Sequence, residues 1–164
     1  MLPDVLIPGL KVVMCGTAVG EQSAQVQQYY AKPGNKFWAT LYEVGLTPVQ
    51  LSPHEYAQIT KHGIGLTDLV KVKAGMDHLL TDDDFDFELF GRNINYYQPA
   101  YLCFNGKGAA KKYFRRKRVE YGLQLETIRR TKIFVAPSTS GRGRRWWNIE
   151  YWRELARLCS LIEG

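Results

Sequence analysis

Apolar and polar positions alternate along this chain in a way that predicts strands and helices in turn. Short apolar runs are typical of buried strands, and the chain has four of them, at residues 10–14, 64–70, 100–104 and 133–136. Apolar residues at helical spacing fall between and after these runs, at residues 35–44, about 84–96, 108–114 and from about 147 onwards. This order predicts an α/β fold, a single-domain three-layer α/β/α sandwich with a central, mostly parallel sheet, over residues 1–164.

Two of the predicted helices carry signals for where they begin and end. Gly45 is placed to end the first of them, whose apolar face carries Phe37, Trp38, Leu41 and Tyr42. The segment Ser52-Pro53-His54-Glu55 has the spacing of a capping box with proline at the first helical position, and Gly63 closes that helix. The run Asp82-Asp83-Asp84 resembles a metal cluster only superficially, and we expect it at a helix N-terminus, where negative charge is favourable.

The composition fits one packed domain. The chain has 164 residues, of which 45% are hydrophobic and 13% aromatic, and this is too apolar for a disordered chain. It has no apolar run of about 18 residues and no signal-peptide pattern at its start, so we expect a cytoplasmic monomer that contacts no membrane. The cysteines Cys15, Cys103 and Cys159 are widely spaced. We expect two in core strands and one in the last helix, with no disulfide framework or metal.

Positive charge is concentrated in one part of the chain. The formal net charge is +6, but residues 107–145 contain thirteen Lys and Arg against only Glu120 and Glu126, which leaves the remaining residues at −5. Charge runs are often no more than solvated faces. Here, however, the basic groups are interrupted by aromatic residues, namely Tyr113, Phe114, Trp146 and Trp147. Cations with interleaved aromatic rings suit phosphate contact and base stacking, so nucleic acid becomes the leading partner.

Two predicted strands end in small, polar loops. The first strand leads into Cys15-Gly16-Thr17-Ala18-Val19-Gly20 and the last into Pro137-Ser138-Thr139-Ser140-Gly141. In an open α/β sheet the ligand pocket lies at the carboxyl ends of the strands, so we expect these loops to form one pocket. Asn105 ends a third strand at the same edge, although a turn residue before Gly106 would look the same.

These segments resemble the uracil-DNA glycosylase superfamily. Residues 16–20, Gly-Thr-Ala-Val-Gly, resemble Gly-Ile-Asn-Pro-Gly of the mismatch-specific uracil/thymine enzymes, and residues 21–38 follow those enzymes without a gap. Residues 28–38, Gln-Tyr-Tyr-Ala-Lys-Pro-Gly-Asn-Lys-Phe-Trp, are closer to the hypoxanthine-DNA glycosylase branch, which has Gln-Tyr-Tyr-Ala-His-Pro-Arg-Asn-x-Phe-Trp. Residues 65–70, 104–107 and 137–140 fall in the order and spacing of the superfamily.

The resemblance implies a monofunctional DNA glycosylase that flips out a deaminated base, uracil in the first place, and excises it to leave an abasic site. It implies DNA as partner, with uracil-containing and abasic DNA as ligands, and no cofactor or metal. Two standard catalytic groups are missing, because the water-activating residue falls on Ala18 and the donor to the leaving base falls on Ala136. The alternatives are therefore a hypoxanthine-DNA glycosylase or a non-catalytic module that binds abasic or damaged DNA.

The resemblance also assigns site residues. The expected catalytic residues are Asn35 and Ser138, and Asn35 is equally suited to a helix N-cap. The expected substrate-binding residues are Gly16, Thr17, Ala18, Tyr30, Phe37 and Asn105, of which Tyr30 would exclude the thymine methyl group or else be an ordinary core aromatic. The expected DNA-binding loop is Ser140, Gly141, Arg142, Gly143, Arg144 and Arg145, where arginine stands in place of an apolar wedge.

Overall fold

The computed structural model describes residues 2–18, 21–70 and 85–162. The strands are β1 (Val12–Gly16), β2 (Ile64–Asp68), β3 (Tyr101–Asn105), β4 (Gly122–Ile128) and β5 (Thr131–Ala136). Within the described residues, the α-helices are α1 (Glu21–Val26), α2 (Phe37–Glu43), α3 (Phe87–Tyr97), α4 (Lys107–Phe114) and α5 (Ile149–Ser160), and 3₁₀ helices cover Pro53–His62 and Gly141–Trp146. No helix within the described residues is long and apolar enough to cross a membrane.

The strands form one mostly parallel sheet in the order β2-β1-β3-β5-β4. Strands β1, β2, β3 and β5 are parallel, and β4 is antiparallel to β5 at the edge. The register aligns the carboxyl ends of the parallel strands, since Gly16 pairs with Asp68 and Asn105 pairs with Ala136. The predicted α/β fold is confirmed.

Two hydrophobic cores lie on opposite faces of the sheet, as expected of strands that alternate their side chains. In β1, Val12 and Met14 join the core that also contains α2 and α5 residues such as Phe37 and Trp152. The neighbouring Val13 joins the core formed with α3 and α4. The outcome is three layers, with the sheet between two layers of helices.

Strand β4 is absent from the sequence prediction. Its residues, Gly-Leu-Gln-Leu-Glu-Thr-Ile, alternate between partly buried and exposed, and Leu125 is 99% exposed. The strand lies at the sheet edge and its register shifts between Leu123 and Thr127, so it lacks the continuous apolar run that identifies a buried strand. The predicted strand over residues 64–70 is also too long, because β2 ends at Asp68.

Helix ends follow the predicted capping chemistry. The Ser52 and Glu55 capping box is formed, and Gly63 ends that helix with a φ of 78°, although the hydrogen bonding is of the 3₁₀ type. Helix α3 begins after Asp86, whose carboxylate accepts a hydrogen bond from the Leu89 amide. The run Asp82-Asp83-Asp84 lies outside the described residues.

The cysteines occupy the predicted places, with Cys15 in β1, Cys103 in β3 and Cys159 in α5, and all three are buried. Burial raises the pKa of Cys103 well above its usual value and that of Cys159 to about 12. Both groups therefore remain thiols at neutral pH and pack as small apolar side chains.

Candidate active site

A cavity of about 640 Å³ lies at the carboxyl ends of the parallel strands. Its polar walls come from the loop after β1, from the end of β2, from the end of β3 and from the loop after β5. The lining residues are Ala18, Ser23, Tyr29, Tyr30, Lys32, Pro33, Gly34, Asn35, Lys36, Asp68, Asn105, Ser138, Thr139, Ser140, Gly141, Arg142 and Arg144. The loops that the sequence predicted to meet therefore form one pocket.

Gly16 gives the pocket room for two polar side chains. A Cβ atom at this position would stand 3.2 Å from the Asp68 Oδ1 and 3.6 Å from the Tyr30 hydroxyl oxygen. A larger residue would push these groups apart, so the glycine permits their close approach. Thr17 does not line the cavity, and its backbone carbonyl accepts a hydrogen bond from the Val70 amide.

Thr139 joins three loops around the pocket. Asn105 holds it twice, since the Asn105 Nδ2 donates to the Thr139 Oγ1 at 2.9 Å and the Thr139 amide donates to the Asn105 Oδ1 at 3.0 Å. The Thr139 carbonyl accepts from the Lys36 amide at 2.9 Å. Asn105 thus lies in the cavity wall, at the end of β3.

Asn35 lines the cavity just before α2, and the N-cap of that helix is Lys36 rather than Asn35. The Asn35 Oδ1 accepts a hydrogen bond from the Phe37 amide at 3.0 Å, which fixes the side chain against the start of α2. The Nδ2 group is the part of Asn35 that can donate to a bound base or water.

Tyr30 forms one side of the pocket and Phe37 lies behind it. The two rings are stacked, with centroids 3.9 Å apart, and Phe37 is fully buried and does not line the cavity. Phe37 supports the wall rather than contacting a ligand directly. Tyr30 itself has a φ of 52°, a left-handed backbone conformation that costs energy in a non-glycine residue and is typical of functional sites.

Ser138 lies in the loop after β5 and packs between two glycines, Gly106 at the start of α4 and Gly143 in the arginine loop. Its Oγ donates to the Ser140 Oγ at 3.0 Å and accepts from the Ser140 amide at 3.2 Å. A Cβ on Gly106 or on Gly143 would meet the Ser138 Cβ at 3.1 Å. The two predicted loop residues Ser138 and Ser140 are therefore positioned as a pair of hydroxyl groups at the cavity.

The arginine loop is a 3₁₀ helix, Gly141–Trp146, at the edge of the cavity. Arg142 and Arg144 line the cavity, and Arg145 instead places its guanidinium 5.0 Å from the centre of the Trp146 ring. Trp146 is 59% exposed. The Lys36 ammonium, 4.5 Å from the Trp147 ring centre, connects this helix to the segment that carries Asn35.

The basic run Arg115-Arg116-Lys117-Arg118 belongs to another region. These residues follow helix α4, and none of them lines the cavity. Arg115 stacks on Phe87, and Arg116 pairs with Glu126. The cations placed to meet a ligand in the cavity are instead Lys32, Lys36, Arg142 and Arg144.

Asp68 is a buried carboxylic acid in the pocket wall that the sequence prediction omits. Only 5% of it is exposed, and it lines the cavity at the end of β2. The signal was a charged residue that ends an otherwise buried strand, and the pairing of Asp68 with Gly16 explains why it reaches the pocket. Within the described ranges, no three His, Cys, Asp or Glu side chains come together as a metal site.

Comparisons with known proteins agree with this geometry. The chain matches the model of the uracil DNA glycosylase superfamily over residues 3–157. It is also similar to the solution NMR structure of a protein from Methanosarcina acetivorans that is provisionally assigned as a uracil DNA glycosylase. That likeness has a TM-score of 0.65 and 22% identity, and it covers 97% of this chain and 96% of the other. The chain belongs to the uracil DNA glycosylase superfamily, a family of DNA glycosylases.

Proposed function

We propose that this protein is a monofunctional DNA glycosylase of base excision repair, which extrudes a deaminated base from DNA and hydrolyses its N-glycosidic bond to leave an abasic site. The base that we propose as the main substrate is uracil. The observation that carries the proposal is the cavity at the strand ends, where Asn35, Asn105 and Asp68 meet Arg142 and Arg144. A base held between these groups would have polar partners at its edge, and the cations would lie near the phosphates of its nucleotide.

Hydrolysis of the N-glycosidic bond is compatible with the absence of the two standard catalytic groups, whose positions are taken by Ala18 and Ala136. Breaking the bond to a base generates a sugar oxocarbenium ion and a base anion, so donors around the leaving base provide the main stabilisation. The Asn35 Nδ2, on the cavity wall, is such a donor. One positioned acid or base contributes typically about 100- to 10,000-fold, which is a small part of the total acceleration of such a reaction.

In this proposal, Arg142 and Arg144 bind the DNA backbone. Each guanidinium can hold a phosphate with two hydrogen bonds and can also stack on a base. Arg142 and Arg144 lie on the cavity wall beside the Ser138 and Ser140 hydroxyl groups. This arrangement suits the phosphates on either side of an extruded nucleotide.

Two alternatives follow from specific observations. Hypoxanthine as substrate is favoured by residues 28–38, which are closest to the hypoxanthine branch. A non-catalytic module that binds abasic DNA is favoured by Ala18 and Ala136, because Ala136 is fully buried in the core and offers no group to the leaving base.

A single experiment separates these functions. Purified protein is incubated with duplexes and single strands that carry uracil, hypoxanthine or thymine, and abasic sites are revealed by alkali. We expect cleavage after alkali with uracil, weaker cleavage with hypoxanthine, and intact strands when alkali is omitted. Tight binding to abasic DNA without excision of any base would instead establish the non-catalytic module.

A further inference from the structure

The proposed reaction would leave an electrophile in the cavity. Hydrolysis of the N-glycosidic bond leaves a sugar without its base, and the C1′ carbon of that sugar is in equilibrium with an open-chain aldehyde. The amine of a lysine reacts with a carbonyl carbon to form an imine, a Schiff base. Two lysines, Lys32 and Lys36, are among the residues that line the cavity. The product would therefore form beside two primary amines.

A tight turn places Lys32 beside Asn35. The Asn35 amide donates a hydrogen bond to the Lys32 carbonyl at 3.0 Å, across Pro33 and Gly34. Gly34 has a φ of 90°, and a proline followed by a glycine with positive φ is the pattern of a type II turn. The Cα atoms at the two ends of a β-turn lie within about 7 Å of each other. Lys32 thus extends from the same part of the cavity wall as Asn35, whose side-chain amide we propose to act on the leaving base.

The two lysines differ in what holds their amines. The Lys36 Nζ lies 4.5 Å from the centre of the Trp147 ring, a cation–π contact that fixes it against the arginine loop. Lys32 is exposed, and within the part of the chain that the structure describes its amine makes no hydrogen bond, ion pair or ring contact. The Lys32 side chain is flexible, so its amine is the one that can move towards a sugar held in the cavity.

Resting on the function proposed above, we propose that Lys32 captures the abasic product as a covalent imine. The neutral Nζ bonds to C1′ of the open-chain sugar and passes a proton to the former carbonyl oxygen, which gives a carbinolamine. The carbinolamine loses one molecule of water and becomes the imine. Addition of water reverses both steps and returns the amine and the aldehyde. No phosphate ester breaks in this sequence, so the strands stay intact without alkali.

The imine would retain the product on the protein. Arg142 and Arg144 line the same cavity and, in the proposed function, bind the phosphates of the extruded nucleotide. An amine held next to a fixed carbonyl carbon reacts far more readily than the same amine in solution, because the two groups no longer have to meet by diffusion. Covalent capture should therefore make the complex with abasic DNA last longer than the hydrogen bonds and charge contacts alone would allow.

The first test uses a duplex that already contains one natural abasic site, so that it does not depend on excision by this protein. Sodium cyanoborohydride reduces an imine to a stable amine and leaves the protein attached to the DNA, which a denaturing gel detects. We expect the wild type to be trapped in this way. Peptide mass spectrometry of the trapped adduct should locate the modified residue at Lys32.

Lys32→Arg is the informative variant, because it keeps the positive charge and replaces the amine with a guanidinium that does not lose its proton. The trapped adduct should be lost. Lys61→Arg is the matched control, since Lys61 is an exposed lysine in the 3₁₀ helix Pro53–His62 and does not line the cavity. It should be trapped as the wild type is, and thermal melting shows that both variants fold. Equal trapping of Lys32→Arg and the wild type, or an adduct on Lys36 instead, overturns the inference.

A second test measures how long the complex lasts. A tetrahydrofuran analogue of the abasic site has no aldehyde, so the wild type should dissociate more slowly from natural abasic DNA than from the analogue. Lys32→Arg should remove this difference, whatever its effect on binding of the analogue. If the wild type excises no base but is trapped at Lys32, the proposed function fails and covalent capture stands. If it excises uracil, is not trapped and leaves both duplexes at the same rate, the proposed function stands and covalent capture fails.

Discussion

At the residue scale, Asn35 shows how one side chain can link the start of a helix to the wall of a pocket. Its oxygen accepts from the Phe37 amide, and the residue lines the cavity. The sequence offered a helix N-cap or a pocket contact for Asn35, but it could not show that Lys36 would be the N-cap and that Asn35 would lie in the wall. Asp68 could not be assigned at all, since its place in the pocket follows from the pairing of β2 with β1.

The first prediction concerns Asn35. Asn35→Ala should lower base excision by at least about 100-fold while leaving DNA affinity largely intact, because a positioned donor at the reacting base is lost. The lost turn contact should cost about 1 kcal/mol of stability. Single-turnover rates, DNA binding and denaturant unfolding measure the three effects.

Asn35→Asp is the matched control for that variant. It keeps the oxygen that accepts from Phe37 and removes the amide donor, so its stability should equal that of the wild type while excision stays low. Full activity in a folded Asn35→Ala protein would remove the catalytic role of this residue.

The second prediction concerns Tyr30. Tyr30→Ala removes the wall that Phe37 supports from behind, so uracil excision should weaken and thymine should gain access to the pocket. Rates on uracil and thymine duplexes check this. Tyr42 was expected on the apolar face of α2 but is 50% exposed, so Tyr42→Ala is the control. If neither rate changes, Tyr29 becomes the residue to examine, since it also lines the cavity.

At the element scale, the parallel strands were predictable to within about two residues and the edge strand was not. The parallel strands have continuous apolar runs because both faces are covered, so the strands and the pocket loops after them could be located from sequence. Strand β4 has one solvent-exposed face and polar residues, and its place in the sheet depends on pairing with β5. The segment after β5 was expected to be a small, polar loop, and residues Gly141–Trp146 instead form a 3₁₀ helix in which Gly143 lies against Ser138.

The third prediction uses two glycines of that helix. A Cβ on Gly143 would stand 3.1 Å from the Ser138 Cβ, while one on Gly141 would meet nothing within 4 Å. Gly143→Ala should therefore destabilise the protein by about 1–3 kcal/mol or displace Ser138 and slow excision. Gly141→Ala should change stability by less than about 0.5 kcal/mol. Denaturant unfolding and excision rates of the two variants test the packing, and equal behaviour would show that Gly143 is not required.

The fourth prediction concerns Arg142 and Arg144. Replacing both with Ala should weaken binding to uracil-containing and abasic DNA and slow excision in duplexes more than in single strands. Only a duplex leaves a gap in the stack, and unstacking there costs a few kcal/mol. The salt dependence of binding should also become shallower by roughly 0.9 per lost phosphate contact.

Arg115→Ala with Arg118→Ala is the control pair, because it removes the same charge from the region beyond α4. Equal losses on single and double strands in the Arg142 and Arg144 variant would mean that these arginines only neutralise phosphate charge. No loss on either substrate would place the duplex contact elsewhere.

At the scale of the whole molecule, charge concentrated in one segment of sequence does not all reach the site. Residues 107–145 carry thirteen Lys and Arg, but only Arg142 and Arg144 among them line the cavity. At the cavity, Arg142 and Arg144 lie beside polar side chains, and this combination suits the proposed binding of an extruded base together with its phosphates. Sequence composition indicated nucleic acid, whereas only the fold shows which arginines lie at the site.

The central claim is that this pocket breaks an N-glycosidic bond. The most direct measurement is mass-spectrometric detection of free uracil released from a uracil-containing duplex, with abasic sites counted in the same sample, for the wild type and for Asn35→Ala. We predict that the wild type releases uracil and forms abasic sites in equal amounts, and that Asn35→Ala releases at least about 100-fold less per unit time. Absence of released uracil and of hypoxanthine from the matching duplex, with DNA binding intact, would contradict the claim.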